Sequence, residues 1–334
     1  MVTGSPTPSG LVIDGLQYCS WSPKIFRDLE EGGVSAVHVT VCYWENFQET
    51  VTNINRWNRW FELYPDRLMP VRIADDVRRA QAEGKTGIVF GFQNCSPIED
   101  NIERVSALHG LGARFMQLSY NNQSLLATGC YEAEDSGITR FGREVIAEMN
   151  RVGLVIDMSH SAERSTLQAI EISTRPIAIS HANPSVWHPA PRNKSETVLR
   201  ALAESGGMLG LSLYPHHLKD GSACTLEAFG AMVARTVDVM GVDHVGIGSD
   251  LCQGQNDSVV EWMRNGRWRR TPDLKAADRP SWPEPLAWFA SNRDIANVAD
   301  GLAATGFAPE EVAKIMGGNW LAFFEHSFGP ATIS

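Results

Sequence analysis

The stretch GLVIDMSHSAER, residues 153–164, joins an apolar run to a histidine, His160, and then to the polar start of a helix. The same pattern returns in PIAISHANPS, residues 176–185, where the apolar run ends at His181. Continuous apolar runs of this length are typical of strands buried on both faces, as in parallel sheets covered by helices. The two segments therefore predict successive strand–helix units, each with a histidine at the carboxyl end of its strand.

Further segments of this kind extend the pattern along the chain. The predicted strands are 11–15, 35–42, 87–94, 114–121, 154–160, 177–183, 207–214 and 244–250. Helical patterns lie between them, and several end at a glycine directly before the next strand, as helices commonly do. This alternation predicts an α/β protein with a (β/α)8 TIM-like barrel. A doubly wound sheet is the alternative, but no Gly-x-Gly-x-x-Gly phosphate loop supports it.

The sequence also indicates the domain organisation. No linker or repeat divides the chain, so residues 1–334 are predicted to form a single domain. The segment at about 253–290 stands apart because it is rich in Trp, Arg and Pro. This composition predicts an active-site segment or an oligomer interface, and amphipathic packing is the alternative. We expect a homo-oligomer.

Composition narrows the classes of partner. The chain has 334 residues, is 43% hydrophobic and carries a net charge of −10, from 29 basic and 39 acidic residues. An acidic chain is not expected to bind nucleic acid, and no apolar run is long enough to predict a membrane span. The first ten residues lack the features of a secretory signal. Six scattered cysteines without a paired motif predict reduced thiols, so we expect a cytoplasmic protein.

Candidate site residues follow from the predicted barrel, because catalytic side chains of such barrels lie at the carboxyl ends of the strands. His160 and His181 end adjacent strands, and Asp250 ends the last one. Two neutral imidazoles near a carboxylate predict a site for one divalent metal, with Asp250 as acid or base. Hydrogen bonds from each histidine to a nearby loop are the alternative. His188, His216 and His217 are weaker candidates for contacts with substrate or with loops.

Longer motifs carry a family resemblance. The segment from ITRFG to GGMLG (138–210), together with VGIGSDLCQG and IMGGNWLAFFE, resembles the membrane dipeptidase family of the amidohydrolase superfamily. The resemblance implies an amidohydrolase-type (β/α)8 barrel and metal-dependent hydrolysis. It also implies that His160 and His181 are metal ligands, that Asp250 is the catalytic acid or base, and that Arg192 holds a substrate carboxylate.

The sequence departs from the family pattern at several positions. Leu16 and Tyr18 occupy the places of a His-x-Asp metal motif, Gln93 that of a bridging glutamate, and Tyr120 that of a histidine. Leucine cannot bind a metal, and an amide is a neutral and weaker ligand. The resemblance therefore implies one metal, Zn²⁺, held by His160, His181 and the Gln93 carbonyl oxygen.

The departures also change the expected reaction. An aromatic site with arginines is similar to that of superfamily hydrolases that cleave a C–C bond in ring-opened aromatics, the meta-cleavage products of lignin breakdown. For such a small carboxylated substrate we expect Asp250 to act as base and Tyr120 or His188 as acid. The expected substrate contacts are Arg192, Asn193, His216, Trp268 and Arg270. Two alternatives remain, a one-metal dipeptidase-like amide hydrolase and a non-catalytic barrel.

Overall fold

The computed structural model describes residues 10–267 and 281–329. The strands in these ranges are β1 (Ile13–Gln17), β2 (Ala36–Cys42), β3 (Leu68–Pro70), β4 (Thr86–Phe92), β5 (Ala113–Gln117), β6 (Val155–Asp157), β7 (Ala178–Ala182), β8 (Met208–Leu211) and β9 (Val245–Ile247). All strand pairs within the sheet are parallel. The order runs β2-β1-β9-β8-β7-β6-β5-β4-β3, and an added β2–β4 pairing closes the sheet. The predicted (β/α)8 barrel is confirmed, with β3 as an additional short strand paired to the first residues of β4.

Helices follow the strands around the outside. Their bounds are α1 (Pro23–Glu31), α2 (Phe47–Leu63), α3 (Ala74–Ala82), α4 (Glu103–Gly110), α5 (Arg140–Val152), α6 (Glu163–Ile172), α7 (Glu196–Glu204), α8 (Leu226–Met240), α9 (Asp257–Asn265), α10 (Ile295–Ala304), α11 (Pro309–Ala313) and α12 (Asn319–Ser327). The helices α11 and α12 are joined by the π-helical turn Lys314–Gly318, in which Gly317 leaves helical geometry. None of the helices in the described ranges is long and apolar enough to cross a bilayer.

The amino end of the barrel is closed by side chains. One buried residue from most strands meets the aromatic face of α12, where Trp320 is fully buried. The Trp320 indole donates a hydrogen bond to the Ile247 carbonyl (2.8 Å), and its ring occupies the space that a Cβ on Gly15 or Gly246 would need. Apolar packing against these small residues fills the floor, so open space is left at the carboxyl ends of the strands.

Candidate active site

His160 and His181 meet at the carboxyl ends of β6 and β7. Their Nε2 atoms are 3.1 Å apart, and the Gln93 side-chain oxygen at the end of β4 lies 2.9 Å from His160 Nε2. All three side chains are buried. The barrel therefore brings together the three residues that the sequence predicted as metal ligands.

The tautomer of His160 follows from its other nitrogen. His160 Nδ1 lies 2.6 Å from the side-chain oxygen of Asn121, and an amide oxygen accepts but never donates. The proton is therefore on Nδ1, and Nε2 presents a lone pair. Asn121 reaches this position with a φ of 57°, in the left-handed region that asparagine tolerates better than most residues.

His181 is oriented through a serine. Ser180 Oγ donates its proton to Asp157 (2.5 Å), so it accepts from Nδ1 of His181 at 2.8 Å. The Asp157 carboxylate also accepts hydrogen bonds from the Ser159 hydroxyl and from Gln117. A chain of fixed donors and acceptors thus places the proton of His181 on Nδ1 as well. Partners of this kind orient metal-binding histidines in proteins.

The hydrogen bonds to the two histidines direct three lone pairs toward one point. With both histidine protons on Nδ1, the two Nε2 atoms and the Gln93 oxygen face one another without a hydrogen between them. Burial and the Arg192 guanidinium hold the pKa of both histidines well below its usual range, so the imidazoles are neutral. A bound cation would stabilise these facing lone pairs. Two imidazoles with one carbonyl oxygen suit a single divalent metal. Among the described residues, no group of three or more His, Cys, Asp and Glu is arranged to hold a metal, so the site depends on the amide oxygen of Gln93.

Asp250 lies beside this point, directly beyond β9. Its carboxylate is 3.9 Å from His181 Nε2 and 3.8 Å from His217 Nδ1. Burial raises its pKa to about 7, against the opposing effect of Arg192. Its φ of 59° is unusual for an aspartate, and strained backbone of this kind is found at functional sites. A carboxyl group that titrates near neutrality suits proton transfer in either direction.

The residues at the positions of the further metal ligands implied by the resemblance are Leu16, Tyr18 and Tyr120. Leu16 is fully buried, and Tyr18 and Tyr120 line the cavity with phenol rings. Burial raises the pKa of both tyrosines, so their hydroxyls stay protonated and act as neutral donors. The Tyr120 ring stacks on His160 with centroids 4.2 Å apart. These side chains offer no ligand set for a second metal.

A cavity of about 780 Å³ opens above the histidines. Of the predicted site residues it is lined by Gln93, Tyr120, His160, His188, Arg192, His216 and Asp250. His181 lies beneath it, fully buried. Asn193 does not face the cavity, because its side chain bonds to the backbone of Asn183, His188 and His217. Trp268 and Arg270 lie outside the described residues, as does part of the 253–290 segment.

The contacts of Arg192 differ from those expected of a free carboxylate binder. Its guanidinium donates to the backbone carbonyls of Ser159 and His181. These bonds link the segment after β6, which carries His160, to the end of β7, which carries His181. Because a guanidinium has five donors, Arg192 retains others on its cavity side, and a role in substrate binding stays a prediction.

Sequence reasoning missed other parts of the site. Asn121 follows Tyr120 at a strand end, yet nothing in the sequence pairs it with His160. Tyr214 also lines the cavity, as do Arg264 and Trp282, which belong to the Trp- and Arg-rich segment that the sequence predicted at the active site. His217, a weaker candidate from the sequence, lies beside Asp250, with its Nδ1 2.8 Å from Ser212 Oγ.

Comparison with known proteins identifies the family. Residues 20–265 match the model of the membrane dipeptidases, peptidase family M19, which is more than half of the chain. The chain belongs to family M19. This M19 chain is 29% identical over 209 residues to dipeptidase tcpJ of Claviceps purpurea, covering 62% of the chain and 49% of the relative. It is 26% identical over 243 residues to dipeptidase aclJ of Aspergillus oryzae, covering 71% and 56%. The M19 chain thus spans about half the length of these curated relatives.

Solved structures agree on the fold. An amidohydrolase from Pseudomonas aeruginosa is 36% identical, with a TM-score of 0.90 over 96% of this chain and 97% of its own. A metallopeptidase from Rhodobacter sphaeroides, liganded with a phosphinate mimic of L-Ala-D-Ala, is 18% identical, with a TM-score of 0.79 over 95% and 99%. At that identity the likeness shows the fold alone. The predicted family is confirmed, and M19 is a family of metal-dependent hydrolases.

The comparisons overturn the predicted reaction. The expectation of a C–C hydrolase acting on lignin-derived aromatics is wrong, because the curated relatives are named dipeptidases and the family is one of peptidases. The prediction relied on an aromatic and basic site as evidence for an aromatic substrate. Tyr18, Tyr43 and Tyr120 instead pack on one another and on neighbouring rings in the wall of the site, which aromatic side chains do in any large cavity.

Proposed function

We propose that this chain is a one-metal, dipeptidase-like hydrolase that cleaves an amide bond in a small carboxylated substrate. The observation that carries the proposal is the convergence of the two Nε2 lone pairs and the Gln93 oxygen, with the Asp250 carboxyl 3.9 Å from His181 Nε2. The kinship to named dipeptidases supplies the amide as the bond to be cleaved.

The metal would be held by His160, His181 and Gln93, and its chemistry is to polarise the substrate carbonyl and lower the pKa of a water molecule. Asp250 accepts a proton from the attacking water and returns it to the leaving amine. Its pKa of about 7 suits both transfers, because neither protonation state is strongly favoured near neutrality. Tyr120 donates a hydrogen bond to the oxygen on which negative charge develops. Arg192, Arg264, His188 and His216 line the cavity and are available to bind a carboxylate.

The proposal is tested by metal analysis together with a panel of dipeptides. We expect the purified protein to bind about one equivalent of a divalent metal and to hydrolyse dipeptides, with chelation removing activity and metal together. Asp250→Asn should retain the metal but lower kcat by a factor of about 10²–10⁴, the usual contribution of a general acid–base. His160→Ala should lose the metal, and His326→Ala, at an exposed histidine of α12, serves as the control.

Two results contradict the proposal. A protein loaded with metal that hydrolyses no dipeptide is not a dipeptidase. Full activity of Asp250→Asn would remove Asp250 from the reaction.

A further inference from the structure

A second cavity of about 190 Å³ adjoins the catalytic one. The two share three wall residues, Tyr214, Asp250 and Trp282. Asp250 is the proposed acid–base, so the smaller cavity begins beside the reacting bond. We call it the side cavity.

The lining of the side cavity is largely apolar. Its apolar lining includes Leu213, Leu251, Pro283, Pro285, Leu286 and Phe289. A dry apolar cavity of about 150 Å³ is known to be large enough for benzene. The side cavity therefore has room for a phenyl ring or a branched aliphatic group.

The polar groups in its wall have other partners. The Ser249 hydroxyl donates to Asp14, and the Gln255 amide donates to the Tyr18 carbonyl at 2.6 Å. The Gln253 amide donates to Asp28. Burial raises the pKa of Cys252 to about 12, so its thiol stays protonated and behaves as apolar lining. An occupant thus meets mainly apolar surface, with Tyr214 and Asp250 where the side cavity adjoins the catalytic one.

The walls are held in place without an occupant. Trp282 Nε1 donates to the Asn256 carbonyl (2.8 Å), and its ring lies 5.7 Å from that of Tyr18. Leu286 and Phe289 are buried and joined by an isolated backbone bridge. Because a preformed cavity requires little ordering when it is filled, it can contribute to binding at low entropic cost.

We propose that the side cavity is the substrate subsite for a large apolar side chain, so that the preferred substrates carry an aromatic or branched aliphatic residue next to the bond cleaved. This rests on the proposed amide hydrolysis. Because burial of such a side chain contributes substantially to binding, we expect a preference of roughly 10- to 100-fold in kcat/KM over alanine at the same position.

Ala290 offers the variant that tests the subsite. It lines the side cavity with a small, exposed side chain, so Ala290→Phe fills the space without removing a core contact. Ala287→Phe is the matched control, because Ala287 is exposed nearby and does not line either cavity. Binding of 4-fluorotoluene, followed by ¹⁹F NMR, reports on the cavity without any need for turnover.

We expect 4-fluorotoluene to bind the wild type and Ala287→Phe, and to lose at least ten-fold in affinity with Ala290→Phe. Among Ala-Ala, Ala-Phe and Phe-Ala, one phenylalanine peptide should be preferred, and Ala290→Phe should lower its kcat/KM at least ten-fold more than that of Ala-Ala. The subsite is overturned if the probe binds all three proteins equally, or if no peptide preference responds to Ala290→Phe. If the probe binds as expected but no peptide is hydrolysed, the proposed function is contradicted instead. The side cavity is then an apolar binding site without the proposed hydrolysis.

Discussion

At the scale of single residues, the site is defined by where protons are held. Asn121 and Ser180 each fix the Nδ1 proton of one histidine, and this leaves both Nε2 lone pairs facing Gln93. The imidazoles alone do not determine this arrangement, since a neutral histidine can carry its proton on either nitrogen. The orienting side chains are therefore as much a part of the site as the ligands.

Replacing Ser180 tests this role. Ser180→Ala removes the acceptor for His181 Nδ1, so the imidazole can adopt the other tautomer, and we expect metal affinity to fall by about 10- to 100-fold. The measurement is competition with a chromophoric chelator. Ser106→Ala, at a half-buried serine of α4 whose hydroxyl donates to the Glu103 carbonyl, is the control. Unchanged metal affinity in Ser180→Ala would show that Ser180 does not orient the ligand.

At the scale of the elements, the sequence predicted the strands well because their burial on both faces leaves continuous apolar runs. It missed β3, which has three residues and ends in Pro70, and α9, a nine-residue helix at the start of the Trp-, Arg- and Pro-rich segment. Strand ends gave His160, His181, Gln93 and Asp250. The pairing of Asn121 with His160 and of Ser180 with Asp157 depends on how neighbouring strand ends are juxtaposed, which no local pattern encodes.

Two glycines leave room for the end of β7, which holds His181 of the site. An ideal Cβ on Gly248, just beyond β9, would lie 1.7 Å from the Ser180 carbonyl oxygen, and one on Gly210 in β8 would lie 1.9 Å from it. The contact is with backbone, so a larger residue must displace the strand end that holds Ser180 and His181. These glycines are needed for close packing across the barrel.

Gly248→Ala tests this packing. We expect the free energy of unfolding to fall by about 1–3 kcal/mol, as overpacking does in cores, and metal affinity to fall with it. Denaturant unfolding and chelator competition measure the two effects. Gly110→Ala is the matched control: the added methyl at the end of α4 meets no atom within 4 Å, so stability should be unchanged or slightly higher. A stable Gly248→Ala with normal metal affinity would contradict the argument.

At the scale of the whole molecule, one end of the barrel contributes packing that stabilises the fold, and the opposite end holds the candidate active site. The α12 aromatics fill the amino end, and the strand ends at the opposite face hold buried polar groups around a cavity. Burying such groups opposes folding unless they are paired. Lys194 is the buried amine at this face, and its Nζ donates to the carbonyls of Met158 (2.9 Å) and Ser161 (2.7 Å). These bonds secure the loop that carries His160.

Lys194 should make the stability of the whole barrel depend on pH. Burial lowers the pKa of Lys194 to about 7, whereas an unfolded lysine titrates near 10.4. Between these values the unfolded chain binds a proton that the folded chain does not, so stability rises with pH there and is lowest below about pH 7.

We expect the difference in free energy of unfolding between wild type and Lys194→Met to change by up to about 1.4 kcal/mol per pH unit above pH 7, in favour of the wild type. Urea unfolding from pH 6 to 9 measures it, with Lys219→Met at an exposed lysine as control. The neutral amine still has two hydrogens for the two carbonyls, so its bonds survive deprotonation. Parallel stability curves for wild type and Lys194→Met would mean that Lys194 stays charged in the folded barrel.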